Sequence, residues 1–531
     1  MTAAAFAIKV GPATERFRPC PDAIAYLDIA RNLASGNGFV STLKLNFVDN
    51  SGVIHCALFD WPPLYPLFAG MLARIGAGDT CLQAANALLA SVAAGLVFLI
   101  GERLFGRPAG LLAGGFAAIA PNLFRSGITA LADPLGLVLA LLAVLLALGA
   151  GGHRLRWATV GVVIGFAHLA KYPHAIILAA AVWALLSTGR RNCAAACVLG
   201  FAAATAPAAA WRWALYGSPF ACAQAFHYAV RSYSMILWDD VQPGFPMAFA
   251  APIREIARSA CAHAADLLLG LRGLFALSIG LVAGAVWRRQ SGWSWQHRFV
   301  LAAAAGSFVV HALTWSVPPL RGSRFLLAAF CLLLPFAAAG ILKLLNHDRA
   351  APRAFAAAVC ACTFGGYCWG LVTAARYTGG EVRTPDSAVI RWIELNVAPG
   401  QAVASNNPWA VNYWAARPAV CLPRGLDAVQ AEAFAARHDL AAIVVFEGGT
   451  KRADLTRLSE KGLEVAKLES AVVARRAPDA ALANRSGYGQ KAYEGSFSAI
   501  PQMVQKLPTM HSPRITPRKN GSACLYSFSP P

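Results

Sequence analysis

Residues Arg18–Phe39 read RPCPDAIAYLDIARNLASGNGF, a polar stretch with two acids in an otherwise apolar chain. A proline precedes Asp22, whose carboxylate can cap a helix that we predict to run from Asp22 to Ala34. The glycine-containing run Ser35–Gly38 is typical of the end of such a helix. Asp22 and Tyr26 are four positions apart and therefore stack on one face. Two interpretations stay open: a catalytic loop, or a short, surface-bound interfacial helix in which Asp22 is only the N-cap.

The composition of the whole chain is that of a polytopic membrane protein. Of 531 residues, 57% are hydrophobic and only 14% are charged, and the mean hydropathy is +0.50. Apolar runs long enough, or nearly so, to cross about 30 Å of hydrocarbon recur between Leu82 and Thr373. The formal net charge of +20 therefore lies in loops and tails. Because the Lys and Arg residues are scattered between apolar runs, without interleaved aromatic residues, the sequence does not favour nucleic acid as a partner.

The cysteine and histidine patterns do not indicate a metal site. The chain has 13 cysteines, of which Cys193, Cys197, Cys331 and Cys360 are examples inside apolar runs, where Cys acts mostly as a small hydrophobe. The sequence contains no CxxC or HExxH motif and no glycine-rich phosphate loop. We therefore predict no disulfide framework and no structural zinc.

We predict ten transmembrane helices, several of them short. They are Leu82–Gly101, Ala109–Pro121, Pro134–Ala150, Trp157–Ala170, His174–Thr188, Ala194–Trp213, Asp266–Trp287, Phe299–Ser316, Arg324–Leu345 and Phe355–Thr373. Every second loop is rich in arginine, which places those loops in the cytoplasm. One merged helix from Trp157 to Thr188 would put the later arginine pairs on the opposite side, so the parity requires a break at Lys171-Tyr172-Pro173.

The same parity places the polar residues of interest on one non-cytoplasmic face. They are Asp22, the proline motif Asp60–Pro66, Asp133, Lys171, the loop Tyr216–His263, Arg321, Arg324 and everything beyond Arg376. Four of these residues have a simpler structural explanation. Asp133 before a proline is ordinary helix-start chemistry, and the three basic residues can snorkel to lipid headgroups. Their convergence on one face with two acids favours a functional site.

The start of the chain leads to a further expectation. Thr2–Val10 is apolar but too short to span a bilayer. Without a preceding transmembrane helix, a long segment bearing several arginines would have to cross the membrane unaided, and positively charged segments cross poorly. We therefore expect the native gene product to begin upstream of Met1 with one more span.

The chain divides into four predicted parts. Residues 1–79 form the first external loop with the acidic motif and interfacial helices, 80–376 a transmembrane helical domain, 377–478 a small soluble α/β domain outside the cytoplasm, and 479–531 a disordered basic tail. In the third part, the patterns predict helices Ser387–Val397 and Ala453–Lys461 and strands Ala441–Phe446 and Ala471–Ala474. The tail is rich in Ser, Pro and Gly, a composition that cannot bury a core.

The chain resembles the GT-C superfamily of integral-membrane glycosyltransferases, in the branch of the protein O-mannosyltransferases and the lipid A aminoarabinose transferase. The resemblance covers roughly Asp22 to Ala477. Four motifs carry it: Asp22 and Tyr26 with the run Ala30–Phe39; the proline motif Pro62–Pro66; the acid before proline at Asp133-Pro134; and Lys171-Tyr172-Pro173 between two short helices.

This resemblance implies transfer of a sugar from a polyprenyl phosphate donor to an acceptor hydroxyl, with inversion at the anomeric carbon, on the extracytoplasmic side of the inner (plasma) membrane. Asp22 would be the base, and Asp133 a second acid that orients the acceptor or a divalent metal, although no cofactor is certain. The implied substrate-binding residues are Tyr26, Tyr65, Lys171, Tyr172, Arg321 and Arg324, the last two and Lys171 as phosphate partners. The acceptor would be a glycan, a lipid or a protein.

Two other classes of protein remain as alternatives. A transporter or flippase of lipid-linked sugars needs ionisable groups at mid-membrane and usually has internal repeats. Only Arg272 and His168 are titratable residues well inside a predicted span, and no Asp or Glu lies there. A non-catalytic scaffold would leave the clustering of acids and bases on one face unexplained.

Overall fold

The computed structural model describes residues 1–45, 52–222, 253–265, 293–312, 324–376, 382, 385, 387–423, 428–446, 463–468 and 471–476. These residues belong to one compact unit, Met1–Arg476. The predictions for the span Asp266–Trp287, for Arg321, for the helix Ala453–Lys461 and for the C-terminal tail lie outside the described residues.

Helices account for most of the chain up to Arg376. They are α1 (Thr2–Glu15), α2 (Pro21–Ala34), α3 (Leu64–Arg74), α4 (Asp79–Phe105), α5 (Arg107–Ile119), α6 (Pro121–Gly127), α7 (Asp133–Ala150), α8 (Arg154–Ala170), α9 (Ile176–Ser187), α10 (Arg191–Tyr216), α11 (Ile253–Ala265), α12 (Trp295–Ala312), α13 (Leu327–Leu345) and α14 (Ala350–Arg376). Five of the described helices, α4, α7, α10, α13 and α14, are long and apolar enough to cross a membrane. The predicted number of ten is therefore not confirmed, although helices also occupy four further predicted spans, as the shorter or less apolar α5, α8, α9 and α12.

The packing of these helices separates a central helix from peripheral ones. Of the most apolar stretch of α13, 78% is buried inside the protein, whereas for α10 and α14 the share is 28%. The two peripheral helices therefore present apolar surface to lipid. Helices α8 and α10 approach each other closely through glycine: a Cβ at Gly161 would collide with the Cys197 carbonyl, and one at Gly200 with the Ala158 carbonyl. Small residues at such crossings let membrane helices pack backbone to backbone.

The predicted break between α8 and α9 is confirmed. Helix α8 ends at Ala170, a 3₁₀ turn covers Tyr172–Ala175, and α9 begins at Ile176. Lys171 adopts an extended conformation, and the proline that follows Tyr172 cannot donate a backbone hydrogen bond. The side chains of Lys171 and Tyr172 therefore leave the helix axis at the same end of the bundle.

A six-stranded sheet contains most of the remaining chain. Its strands are β2 (Leu43–Lys44), β4 (Ala402–Ser405), β5 (Ala419–Cys421), β6 (Leu440–Phe446), β7 (Leu463–Leu468) and β8 (Ala471–Arg476), while β1 (Val40–Ser41) and β3 (His55–Cys56) form a separate two-stranded ladder. The order is β2-β5-β4-β6-β8-β7. The first four strands pair in parallel, and β8 pairs antiparallel with both β6 and β7. Helices α15 (Ser387–Asn396), α16 (Pro408–Trp414) and α17 (Ala428–Arg437) accompany it.

The predicted strands of the C-terminal part coincide with β6 and β8, and the predicted helix Ser387–Val397 coincides with α15. The edge strand β2, however, comes from the first loop and pairs with β5, Leu43 opposite Ala419. The boundaries of a separate α/β domain at 377–478 stay a prediction.

Helix α2 lies between the sheet and the helical bundle. Ile24 and Ala25 pack into the same core as Val403 and Trp409 of the sheet region, while Tyr26 on another side packs with Tyr65. Every residue from Ala23 to Ala30 is buried. The expectation of a surface-bound interfacial helix was therefore wrong, because the sheet region covers the face that would otherwise contact lipid or solvent.

Candidate active site

Asp22 does not cap its helix. Helix α2 begins at Pro21, its N-cap is Cys20, and no side chain caps it. The Asp22 carboxylate instead accepts a hydrogen bond from the Arg324 guanidinium, which forms an ion pair with it. The N-cap interpretation of Asp22 was therefore wrong, because a cation from a segment 302 positions away reaches the carboxylate.

Asp133 does not cap its helix either. It is the first residue of α7, whose N-cap is Ala132, and no side-chain cap is present. The Lys171 ammonium donates a hydrogen bond to Asp133 Oδ1. The simple helix-start interpretation was wrong here too. Lys171 and Arg324 also do not snorkel to the membrane surface, since their side chains are only 15% and 29% exposed and end on carboxylates.

Asp22, Asp133, Lys171 and Arg324 form one four-charge network. The Phe325 ring lies between the two cations, with Lys171 Nζ 4.5 Å and Arg324 Cζ 4.8 Å from its centroid. Asp133 also interacts electrostatically with Arg324, and Asp22 with Lys171. The two negative and two positive charges sum to zero. Pairing of this kind offsets the free-energy cost of removing charged groups from water.

The protonation of the two cations follows from these contacts. Burial lowers the pKa of Lys171, and the Asp133 carboxylate opposes this effect. Burial also disfavours the charge of Arg324, but Asp22 and Asp133 outweigh it and hold the pKa of Arg324 well above its usual value. Arg324 is therefore a permanent positive charge, while Lys171 depends on Asp133 for its own.

Three further residues surround the network. His311 on α12 stacks on Phe325, with ring centroids 5.6 Å apart. His174 is buried, and its Nε2 has no hydrogen-bond partner. Sequence reasoning missed Phe325, His311 and His174. The position of Phe325 directly after Arg324 was the one available signal, because a lone histidine near an apolar run carries little information.

The predicted substrate-binding residues Tyr26 and Tyr65 lie in a buried aromatic cluster. Their ring centroids are 4.8 Å apart, and Trp61 packs on Tyr26 at 4.9 Å. The Tyr65 hydroxyl accepts a hydrogen bond of 3.0 Å from Asn86 Nδ2. Burial raises the pKa of Tyr26 well above its usual value, and Asp22 raises it further, so the phenol stays neutral. Their role in substrate binding stays a prediction.

Tyr172 points away from the network. Its hydroxyl accepts a hydrogen bond from Arg212 Nη2, and its ring lies 5.1 Å from that of His168. The adjacent residues Lys171 and Tyr172 therefore face two different groups of polar side chains. Arg212 is a residue that sequence reasoning did not single out.

The structure gives no indication of a metal centre in the part of the chain that it describes. No group of three or more His, Cys, Asp or Glu side chains is placed to hold a metal ion among those residues. Both carboxylates of the network are bonded to cations. A divalent metal at Asp133 would have to displace Lys171.

Two comparisons connect the chain to known proteins, one through a family model and one through the fold. Residues 60–213 match the family model described as dolichyl-phosphate-mannose-protein mannosyltransferase. This segment contains Asp133 and Lys171 but neither Asp22 nor Arg324. No curated protein is significantly similar to the chain in sequence.

Solved membrane-protein structures match nearly the whole fold. ArnT from Cupriavidus metallidurans, bound to undecaprenyl phosphate, is 13% identical, with a TM-score of 0.57 over 90% of this chain and 97% of that one. The oligosaccharyltransferase AglB from Archaeoglobus fulgidus, in complex with an inhibitory peptide and a dolichol-phosphate, is 14% identical, with a TM-score of 0.55 over 84% and 69%.

The arabinofuranosyltransferase AftD from Mycobacteria is 14% identical, with a TM-score of 0.53 over 90% of this chain and 42% of that one. At such identities the likeness concerns the fold. The fold shared with these structures and the family match over residues 60–213 confirm the predicted resemblance: the chain is a multi-pass membrane protein with the fold of these membrane glycosyltransferases, and residues 60–213 are similar to the mannosyltransferase family.

Proposed function

We propose that the protein transfers a sugar from a polyprenyl-phosphate-linked donor to an acceptor hydroxyl, with inversion at the anomeric carbon, on the extracytoplasmic face of the inner membrane. The observation that carries the proposal is the four-charge network, in which neither acid serves its helix as a cap. Support also comes from the similar structures, one bound to undecaprenyl phosphate and one to a dolichol-phosphate.

The network suits the charge changes of this reaction. The acceptor hydroxyl must lose a proton as its oxygen attacks the anomeric carbon, and the carbon–oxygen bond to the lipid phosphate must break. Asp22 is the base that takes the proton. The departing lipid phosphate gains negative charge, which Lys171, Arg324 and Arg321 are proposed to stabilise.

Donor binding has to break or rearrange the ion pairs of the network. In the network each cation is already bonded to a carboxylate. A phosphate that approaches Arg324 competes with Asp22 for the guanidinium, which leaves the carboxylate free to accept a proton. Asp133 holds the charge of Lys171 and orients the acceptor. The buried aromatic residue Tyr26, which interacts electrostatically with Asp22, packs against Tyr65.

A transfer assay tests the proposal. The full-length protein in nanodiscs is given radiolabelled sugars on polyprenyl phosphate with hydroxyl acceptors of three classes: lipid, glycan and peptide. We expect label in one acceptor class, release of polyprenyl phosphate in equal amount, and an inverted anomeric configuration by NMR. A flippase would move the labelled lipid between leaflets of a proteoliposome without releasing polyprenyl phosphate, and that result would contradict the proposal.

The sidedness of the site has its own test. The predicted parity puts the sheet region and Asp22 outside the cytoplasm. An alkaline phosphatase fusion after Ala477 should be active, and a green fluorescent protein fusion at the same position should be dark. The reverse pattern would place the site on the cytoplasmic face.

A further inference from the structure

Arg212 is a buried cation with no counter-charge among the described residues. It lies in the last turns of α10 and is 6% exposed. Its Nη2 donates a hydrogen bond to the Tyr172 hydroxyl, and its Cζ lies 5.0 Å from the centroid of the Tyr172 ring. Its Nε has no hydrogen-bond partner. Among the described residues no carboxylate forms an ion pair with it, whereas Lys171 and Arg324 each have one.

Such an arginine is costly to fold unless something else binds it. A guanidinium removed from water loses its hydration, and one neutral phenol replaces only part of it. The acid that is near Tyr172, Asp60, is bonded to His55 Nε2 at 2.5 Å. An anionic ligand would supply both the missing charge and an acceptor for Nε.

The position of Arg212 restricts what that ligand can be. Helix α10 buries little of its apolar surface, and the residues on either side of Arg212, Trp211 and Trp213, are 42% and 64% exposed. Exposed tryptophans at a helix end mark the depth of lipid headgroups. The same end contacts the first loop, where Tyr216 donates a 3.3 Å hydrogen bond to the Cys56 carbonyl.

We propose that Arg212 and Tyr172 bind a phosphate carried by a lipid. The edge of a guanidinium that carries Nε and Nη matches two phosphate oxygens, and the Tyr172 hydroxyl can turn to donate to the same phosphate. The flanking tryptophans border the path of the lipid chain. An arginine that only snorkelled would point outward and be exposed, and Arg212 is neither.

The inference rests on the proposed function for the identity of this lipid, the polyprenyl phosphate. Tyr172 directly follows Lys171, so the proposed phosphate site and the four-charge network are reached from consecutive residues that face different groups of side chains. Lys171 and Arg324 are each neutralised by an acid of the network. In the part of the chain that the structure describes, Arg212 forms no such pair, so a phosphate could bind it without first breaking one.

A binding experiment tests the site directly. The full-length protein in nanodiscs of neutral phosphatidylcholine is titrated with undecaprenyl phosphate, and Arg212→Gln, Arg212→Lys and Tyr172→Phe are compared with wild type. We expect Arg212→Gln to weaken binding at least about tenfold, and the other two variants to weaken it several-fold. Arg191→Gln is the matched control, because it removes the same charge from the exposed first residue of the same helix and should bind like wild type.

Other ligands in the same assay identify the source of the phosphate. Undecaprenol, which lacks the phosphate, should bind more weakly than undecaprenyl phosphate and equally to wild type and Arg212→Gln. Competition by phosphatidylglycerol would show that a bilayer headgroup also fits the site. Competition by millimolar inorganic phosphate alone, with none by either lipid, would overturn the lipid assignment. Unchanged affinity of Arg212→Gln for undecaprenyl phosphate would overturn the site itself.

Thermal unfolding separates a binding role from a structural one. Removing an uncompensated buried charge should not destabilise the ligand-free protein, so Arg212→Met should melt no lower than wild type. It should lose the rise in melting temperature that undecaprenyl phosphate gives to wild type. A lower melting temperature with the ligand-induced rise intact would mean that Arg212 only supports the fold.

The two proposals fail in different ways. Binding that depends on Arg212 without sugar transfer by the wild type would leave this site standing and end the proposed function. Sugar transfer by Arg212→Gln with an unchanged KM for the donor would leave the proposed function standing and end this inference.

Discussion

Helix α2 carries two carboxylates whose partners differ in kind. Asp22 forms an ion pair with Arg324, and its side chain is 20% exposed. Asp28, one and a half turns further on, accepts hydrogen bonds from Ser41 Oγ at 2.8 Å, from the Thr42 backbone N–H at 2.7 Å and from Thr42 Oγ1. Asn412 of α16 donates a longer one, at 3.4 Å.

This difference separates an acid for chemistry from an acid for structure. Asp28 uses its lone pairs on neutral donors that join α2 to the first loop and to the sheet region, so no acceptor capacity remains for a substrate. Among the described residues Asp22 has one side-chain partner, the cation Arg324, and a phosphate could compete for that cation. The same helix thus fixes its own position through Asp28 and presents Asp22 to the network.

The substitution of Asp22 by Asn tests the chemical half of this comparison and should have the largest effect. Asn keeps the size of Asp but cannot take a proton, so sugar transfer should fall by roughly 10² to 10⁴. Donor binding should not weaken, because the base acts mainly in the transition state and the donor phosphate no longer competes with a carboxylate for Arg324. The measurement is transfer of labelled sugar at equal protein level. Wild-type turnover in Asp22→Asn would remove Asp22 as the base.

The substitution of Asp133 by Asn tests whether the second acid that is paired with a cation also contributes to sugar transfer. Without Asp133 the ammonium of Lys171 loses its counter-charge, and burial then favours neutral lysine. We expect transfer to fall by about one to two orders of magnitude, with a higher KM for the donor. The double variant Asp133→Asn/Lys171→Met is the control, since it removes the whole pair. Full activity of the single variant would show that, of the two cation-paired acids, Asp133 is not needed for transfer.

The substitution of Asp28 by Asn tests the structural half. The new amide group would face hydroxyl and N–H donors and leave at least one of them buried and unsatisfied, at a cost of about 1–3 kcal/mol. Unfolding in detergent should therefore occur earlier, while activity per folded molecule falls only a few-fold. Asn412→Ala, which removes the 3.4 Å contact to Asp28 and a 2.9 Å hydrogen bond to Thr42 Oγ1 but leaves the Ser41 and Thr42 donors in place, should have a smaller effect. Normal stability with abolished transfer would reverse the roles of the two acids.

The smallest expected effect concerns Asp60, a third acid, whose partner His55 can lose its charge within the physiological pH range. Burial alone lowers the pKa of His55, but Asp60 at 2.5 Å outweighs it and raises that pKa above 6.5. The pair therefore contributes its full stability below about pH 6.5 and loses it as pH rises through the raised pKa of the folded protein. Melting temperatures across about pH 5.5 to 8.5 should fall in wild type more steeply than in His55→Gln. Parallel curves would show that His55 is not charged in the fold.

Local patterns in the sequence were enough for much of the fold. Three features were predicted correctly: the end of α2 before Ser35–Gly38, the break at Lys171, and the strands β6 and β8. Proline, glycine and the periodicity of hydrophobic residues influence the backbone over only a few residues, so they can be read from the sequence. The bulk composition likewise predicted a membrane protein. The same local reasoning assigned Asp22 and Asp133 to helix caps as an open alternative, and that alternative was wrong.

What the sequence by itself determined, then, is where the acids and bases stand along the chain and that hydrophobic helices surround them. Only the tertiary structure decided which charge meets which: Asp22 with Arg324, Asp133 with Lys171, Asp28 with the loop after its own helix, and Arg212 with no acid among the described residues. It also decided that β2 joins a sheet whose other strands come hundreds of residues later. The physical reason is range, because helix periodicity and capping are local, whereas an ion pair depends on where the packed elements bring two distant side chains.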